Sequence, residues 1–139
     1  MSIVDFLVSV NGVAQLWAAD GQFLGVLSSN LYDQNSISNP HGIYGGSYGM
    51  YSIRNSYGLY GSQYGLYSPY NIYCLNPPIV LYQGQPVLIV TRNSYVLSNN
   101  LPVVAPELLL GVYAPQITNS TPTFNPHIGL NQTIFDMFK

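Results

Sequence analysis

Few side chains in this sequence can exchange a proton near neutral pH, and none of them form a catalytic pattern. The acids are Asp5, Asp20, Asp33, Glu107 and Asp136, the histidines are His41 and His127, and the one thiol is Cys74. With Glu107 the only glutamate, a Glu–Glu pair for general acid–base work cannot form within one chain, and an Asp–Asp or Asp–Glu pair would have to be assembled by folding. Asp20 and Asp33 read as turn residues, and Asp136 as part of a solvated helix face. No phosphate loop, nucleophile elbow, His-Glu-x-x-His run or Cys-x-x-Cys pair occurs. The expectation is a chain that is not an enzyme, with no catalytic, cofactor-binding or metal-binding residues.

The chain is instead rich in tyrosine, with 13 in 139 residues. Most are set out at a fixed step of sixteen residues, the interval from Asn39 to Asn55 and from Asn55 to Asn71. Ser36, Ser52 and Ser68 keep that register, as do Tyr32, Tyr48 and Tyr64, and Gly45 matches Gly61 as Gly49 matches Gly65. Such a period marks an internal repeat. His41 takes the place of Tyr57 and Tyr73, which suggests packing rather than catalysis, and Cys74 takes that of Gly58, as a tolerated substitution. Six rings are the candidate binding residues: Tyr44, Tyr48, Tyr51, Tyr60, Tyr64 and Tyr67. Two roles stay open for them. A local core would bury each ring and give its hydroxyl a partner. A contact surface would use the Tyr, Ser, Gly and Asn mixture that binding faces favour.

Composition narrows the partners. Charged residues are 6% and the formal net charge is −2, so little repulsion keeps copies apart and association is favoured. Three basic residues are too few to neutralise phosphates, which argues against nucleic acid. No apolar run is long enough to span a bilayer, so no membrane span is expected. The N-terminus lacks a basic region and cleavage site, leaving cytoplasmic placement and leaderless export both open. The sequons at Asn119 and Asn131 are short enough to arise by chance.

Mainly β structure is expected, with antiparallel hairpins flanking the turn-rich repeat and a short C-terminal helix. Residues 1–30 read as a three-stranded meander: Ile3 to Val10, an Asn11-Gly12 hairpin turn, Val13 to Ala18, an Asp20-Gly21 turn, and Gln22 to Leu27. Residues 31–78 form the repeat. Six glycines inside its helical windows each cost ~1 kcal/mol relative to Ala, so tight turns are expected, with Gly at positive φ and the asparagines at equivalent bends. Residues 79–115 hold a second hairpin, Ile79 to Tyr82 and Gln85 to Thr91 around Gln83-Gly84, then an apolar segment that prolines keep extended. Gly21 to Tyr32 aligns with Gly84 to Tyr95, a duplication that predicts comparable places for both hairpins in one sheet or two packed sheets. Residues 116–129 read as linker and 130–139 as a helical docking segment.

Asp20-Gly-Gln-Phe-Leu-Gly25, Tyr32-Asp33, Ser36-Ile-Ser-Asn-Pro40 and Ser52-Ile53-x-Asn55, with Asn76-Pro77-Pro78-Ile79-Val80 at the end, carry a resemblance. Over about Ala18 to Asn93 the chain resembles an uncharacterised bacterial repeat family of cyanobacterial type. Its members combine a Gly-x-Phe/Tyr-Leu-Gly hairpin with Ser-Ile-x-Asn-Pro-Tyr-Gly units. The resemblance implies an architecture and no activity. The chain departs from it at Pro40-His41-Gly42, Ser56-Tyr57-Gly58 and Ile72-Tyr73-Cys74.

The function expected from these residues is structural: a self-assembling protein that presents a rigid tyrosine-rich surface and forms a homo-oligomer or fibre. Unpaired hairpin edges would invite strand addition between copies. The alternative is a carbohydrate-binding module whose tyrosines stack on a glycan.

Overall fold

The computed structural model describes residues 1–115 of the 139. Its elements are α1 (Ile3–Ser9), β1 (Gln15–Trp17), β2 (Phe23–Val26), β3 (Ile79–Tyr82), β4 (Gln85–Val90), β5 (Val103–Val104) and α2 (Pro106–Val112). The fold is mainly β, with one mixed sheet and short helices. The expected linker 116–129 and docking helix 130–139 lie outside the described residues.

The two related hairpins share one sheet, of strand order β2-β1-β3-β4-β5. Antiparallel β1 and β3 join them at the centre, pairing Gln15 with Leu81 and Trp17 with Ile79. The duplication extends beyond the strands. The Asn30 amide donates to Ser28 Oγ and the Tyr32 amide to Asn30 Oδ1. In the second copy the Asn93 amide donates to Thr91 Oγ1 and the Tyr95 amide to Asn93 Oδ1. The Gln83-Gly84 turn has positive φ at both positions, 55° and 78°, as a two-residue hairpin loop requires. The Asp20-Gly21 turn is wider than expected, because a bulge lets Trp17 pair with Phe23.

The first expected strand is a helix. Ser2 caps α1 by accepting the Asp5 amide at 3.0 Å. Ile3, Phe6, Leu7 and Val10 form its inward stripe at i, i+3, i+4 and i+7. The β-branched side chains suggested a strand, but a cap followed by this stripe outweighs intrinsic propensity. Asn11-Gly12 is accordingly the helix exit, with Gly12 at φ 85° and its N–H on Leu27 O at 2.7 Å. Pro106 likewise opens α2 at a position where its missing N–H costs nothing, so Leu108 to Leu110 are helical rather than extended. The helices meet through Tyr113, fully buried, whose hydroxyl donates to Leu7 O at 2.6 Å.

The two sheet edges differ. Against β2 lies the start of the repeat: the Val26 amide donates to Asn35 O and the Ile37 amide to Val26 O. The opposite edge, β5, is two residues long. At Val26 of β2 the chain itself therefore takes the edge hydrogen bonds that strand addition, one expected route to assembly, would use.

Candidate functional site

The repeat is a spiral of turns. Amide-to-carbonyl bonds link Asn39 to Ser36, Gly42 to Asn39, Gly46 to Gly42, Gly49 to Gly46, Ser52 to Gly49 and Asn55 to Ser52, and the series continues to Cys74. The step is three residues except at Gly42–Gly46 and Gly58–Ser62, where it is four. Four steps of three and one of four make up the sixteen-residue period. Every corner is Ser, Asn, Gly or Cys, which explains the composition: a corner leaves little space for a side chain, and Ser or Asn can bond the adjoining backbone.

Each asparagine closes its bend from both ends. Asn39, Asn55 and Asn71 donate through Nδ2 to Asp33 O, Gly49 O and Gly65 O at 3.2, 3.0 and 2.9 Å. Their Oδ1 atoms accept the amides of His41, Tyr57 and Tyr73. The expected bend role holds. The expected glycine role does not, because none of the repeat glycines has positive φ. They are needed for close approach instead. A Cβ on Gly45 would lie 2.4 Å from Asn39 O, and one on Gly61 2.3 Å from Asn55 O.

Three faces emerge from one period. Ile37, Ile53 and Pro69, in matching register, point into the core and are fully buried. A second face carries a column of rings, Trp17–Phe23–Tyr44–Tyr51–Tyr60–Tyr67, with successive centroids 5.1, 5.0, 6.3, 6.2 and 6.3 Å apart. Tyr60 anchors this column by donating its hydroxyl to Asp20 Oδ2 at 2.7 Å. Burial, then that bond, pushes the Tyr60 phenol up to about 12. Asp20 thus holds both its own turn, through the Gln22 amide, and the ring column.

The third face is open to solvent. Tyr48, Tyr57, Tyr64 and Tyr73 are each at least 80% exposed, and the rings of Tyr48 and Tyr57 lie 6.3 Å apart and 5° from parallel. Beside them in register stand exposed Ile43, Leu59 and Leu75, and exposed Met50 and Leu66. The six candidate tyrosines therefore do not share one face: Tyr44, Tyr51, Tyr60 and Tyr67 belong to the column, Tyr48 and Tyr64 to the open ladder. The reason is the interval between corners. Rings spaced by seven and nine residues return to one side of the spiral, and Tyr48 and Tyr64, which keep that spacing with Tyr57 and Tyr73, stand one corner before Tyr51 and Tyr67 and so fall on another side.

Among the remaining chemistry-bearing groups, Asp33, Glu107 and Cys74 hold structure, while His41, expected to pack, is exposed at the position that exposed Tyr57 and Tyr73 occupy in the later repeats. Asp33 accepts the Asn35 amide at 2.8 Å. Glu107 pairs with Arg92. Buried Cys74 donates its S–H to Leu66 O at 3.2 Å, and burial raises its pKa. Among the described residues no three His, Cys, Asp or Glu side chains gather as a metal site, and no helix is long and apolar enough to cross a membrane. Arg54 and Arg92 line a cleft beside Tyr70, a grouping absent from the sequence-based candidates. A signal for it exists: Arg54 is the one Lys, Arg, Asp or Glu between Ser36 and Cys74. Comparison with protein-family models, curated proteins and solved structures finds no match.

Proposed function

We propose that this protein is a structural, self-associating module whose interface is the open tyrosine ladder, with a second copy of the chain as partner. The observation that carries this reading is the exposed, regularly stepped row of Tyr48, Tyr57, Tyr64 and Tyr73 with Ile43, Met50, Leu59, Leu66 and Leu75. Large exposed apolar side chains recurring at the repeat step are the kind of surface that contact sites use. Tyrosine supplies large contact area at low entropic cost. The ladder's spacing of nine, seven and nine residues is offered again by a second copy, so rings of two copies can be brought into register. With a formal charge of −2, little electrostatic repulsion opposes the approach. The resemblance to cyanobacterial-type repeat proteins belongs to this proposal, resting on the Gly-x-Phe-Leu-Gly and Ser-Ile-x-Asn residues alone.

Sedimentation velocity tests the reading. The wild-type chain is expected to associate with rising concentration, and the combined variant Tyr48→Ser, Leu59→Ser, Tyr64→Ser to remain monomeric with an unchanged thermal midpoint. A wild-type chain that stays monomeric at the highest attainable concentration overturns it. Glycan binding is the second reading, supported by the exposed rings. It ranks lower because Tyr48 and Tyr57 lie ring to ring, which leaves each one outer face for a sugar. Loss of glycan binding on replacing Tyr48 and Tyr64 by Ala, with association intact, would reverse the order.

A further inference from the structure

Arg54 and Arg92, the two basic residues among those described, converge on one cleft although 38 positions separate them in the chain. Arg54 lies between the Ser52 and Asn55 corners of the spiral, while Arg92 follows β4 and is brought in by its amide, which donates to Pro69 O at 2.9 Å. Tyr70 stands one repeat step after Arg54, and the Arg92 guanidinium lies 4.8 Å from the centre of its ring. Ser56 and Gln63 complete the polar lining of a cleft of about 400 Å³. That volume falls within the range of small-molecule sites.

The two cations differ in state. Arg92 is paired with Glu107, the sole ion pair among the described residues. Arg54 has no carboxylate partner among them. Its Nε donates to Ile37 O at 2.9 Å, which fixes the plane of the guanidinium and leaves the terminal nitrogens to other partners. Burial lowers its pKa. A half-buried cation without a counter-charge is costly, and a bound anion would relieve that cost.

We propose that this cleft binds the carboxylate of a uronic acid unit, with Arg54 as the anchoring cation. Two guanidiniums and the Glu107 carboxylate leave one net positive charge, which matches a single carboxylate and leaves a phosphate dianion half neutralised. A planar guanidinium accepts a carboxylate in two parallel bonds. The Ser56 and Tyr70 hydroxyls and the Gln63 amide can both donate to and accept from ring hydroxyls. An amino acid fits less well, because its ammonium group would compete with Arg92 for Glu107. The cleft has no lining residue in common with the tyrosine ladder, although Ser56 and Gln63 adjoin Tyr57 and Tyr64 in the chain.

The test is titration of the full-length chain with galacturonate, galactose and inorganic phosphate, followed by calorimetry and ligand-observed NMR. Galacturonate is expected to bind at least tenfold more tightly than galactose or phosphate, and to weaken as salt rises. Arg54→Gln is expected to lower galacturonate affinity by tenfold or more. Because Arg54 also bonds Ile37 O, Glu107→Gln serves as a second variant: it raises the net charge of the cleft, so uronate affinity should increase. Oligogalacturonate binding more tightly than the monomer supports recognition within a polymer, and equal binding supports recognition of the free acid. Equal affinity for galactose and galacturonate, tighter binding of phosphate, or a Glu107→Gln variant with unchanged affinity overturns the proposal.

Discussion

Gly61→Ala isolates the close packing of successive turns. An added Cβ would meet Asn55 O at 2.3 Å, Ile53 O at 2.7 Å and Asn55 C at 2.9 Å, all backbone atoms that cannot rotate away. The φ of Gly61 is not positive, so alanine suffers no conformational penalty. Without the collision, the stiffer unfolded chain would make this substitution stabilising by roughly 0.4–1 kcal/mol. Forcing extra volume into a packed site costs about 1–3 kcal/mol, and a collision confined to backbone belongs at the upper end, so the sign reverses. For a chain of this size the loss corresponds to a drop in thermal midpoint of ~10 °C. Gly58→Ala is the matched control. Its Cβ would meet the Asn55 side chain at 3.2 Å, and Cys74 already places a side chain at the equivalent corner. Its midpoint should move by less than ~5 °C. Circular dichroism melts of the two variants and wild type decide the matter. If Gly61→Ala melts with Gly58→Ala, the turns are not packed as described and the spiral reasoning fails.

Asn55→Ala removes both bonds that close a bend, to Gly49 O and from the Tyr57 amide; a loss of about 1–3 kcal/mol in urea unfolding is expected, whereas Asn30→Ala, at an exposed turn, should cost less. Alkaline pH provides a separate check on the ring column. The Tyr60 phenol is raised from 10.0 to about 12 by burial and its bond to Asp20, and burial raises Tyr113 further in the same direction. A proton held more tightly in the folded chain means stability is intact below pH 10 and falls as pH rises toward 12. Tyr60→Phe should flatten part of that fall in a pH series of melts, and an identical profile would refute the Tyr60 contribution.

What could be read in advance follows from the range of each signal. The sixteen-residue period, the Asn bends, the Gln83-Gly84 hairpin and the likeness of the two hairpins rest on local turn chemistry and on repetition, which act over a few residues and survive without knowledge of the fold; that both hairpins join one sheet was decided by the long-range pairing of β1 with β3. At α1 the Ser2 cap and the Ile3, Phe6, Leu7, Val10 stripe outweigh the β-branched residues that favour a strand, and both helical signals stand in the sequence. The three-residue corner spacing of Ser, Asn and Gly was equally legible, although the longer sixteen-residue repeat concealed it.

Other features depend on contacts between distant segments. Gly45 and Gly61 look like turn glycines until the neighbouring turn is seen to press against them. The division of the tyrosines into a packed column and an open ladder depends on where each ring falls around the spiral, and the Tyr60–Asp20 bond spans 40 positions. The Arg54–Tyr70–Arg92 cleft exists only because the Arg92 amide docks on Pro69 O. By itself, then, the sequence determined the period, the bends and the matched hairpins, because these are local. Tertiary structure alone decided which rings are buried, which are exposed and which charges meet, because those properties arise only when the spiral packs against the sheet.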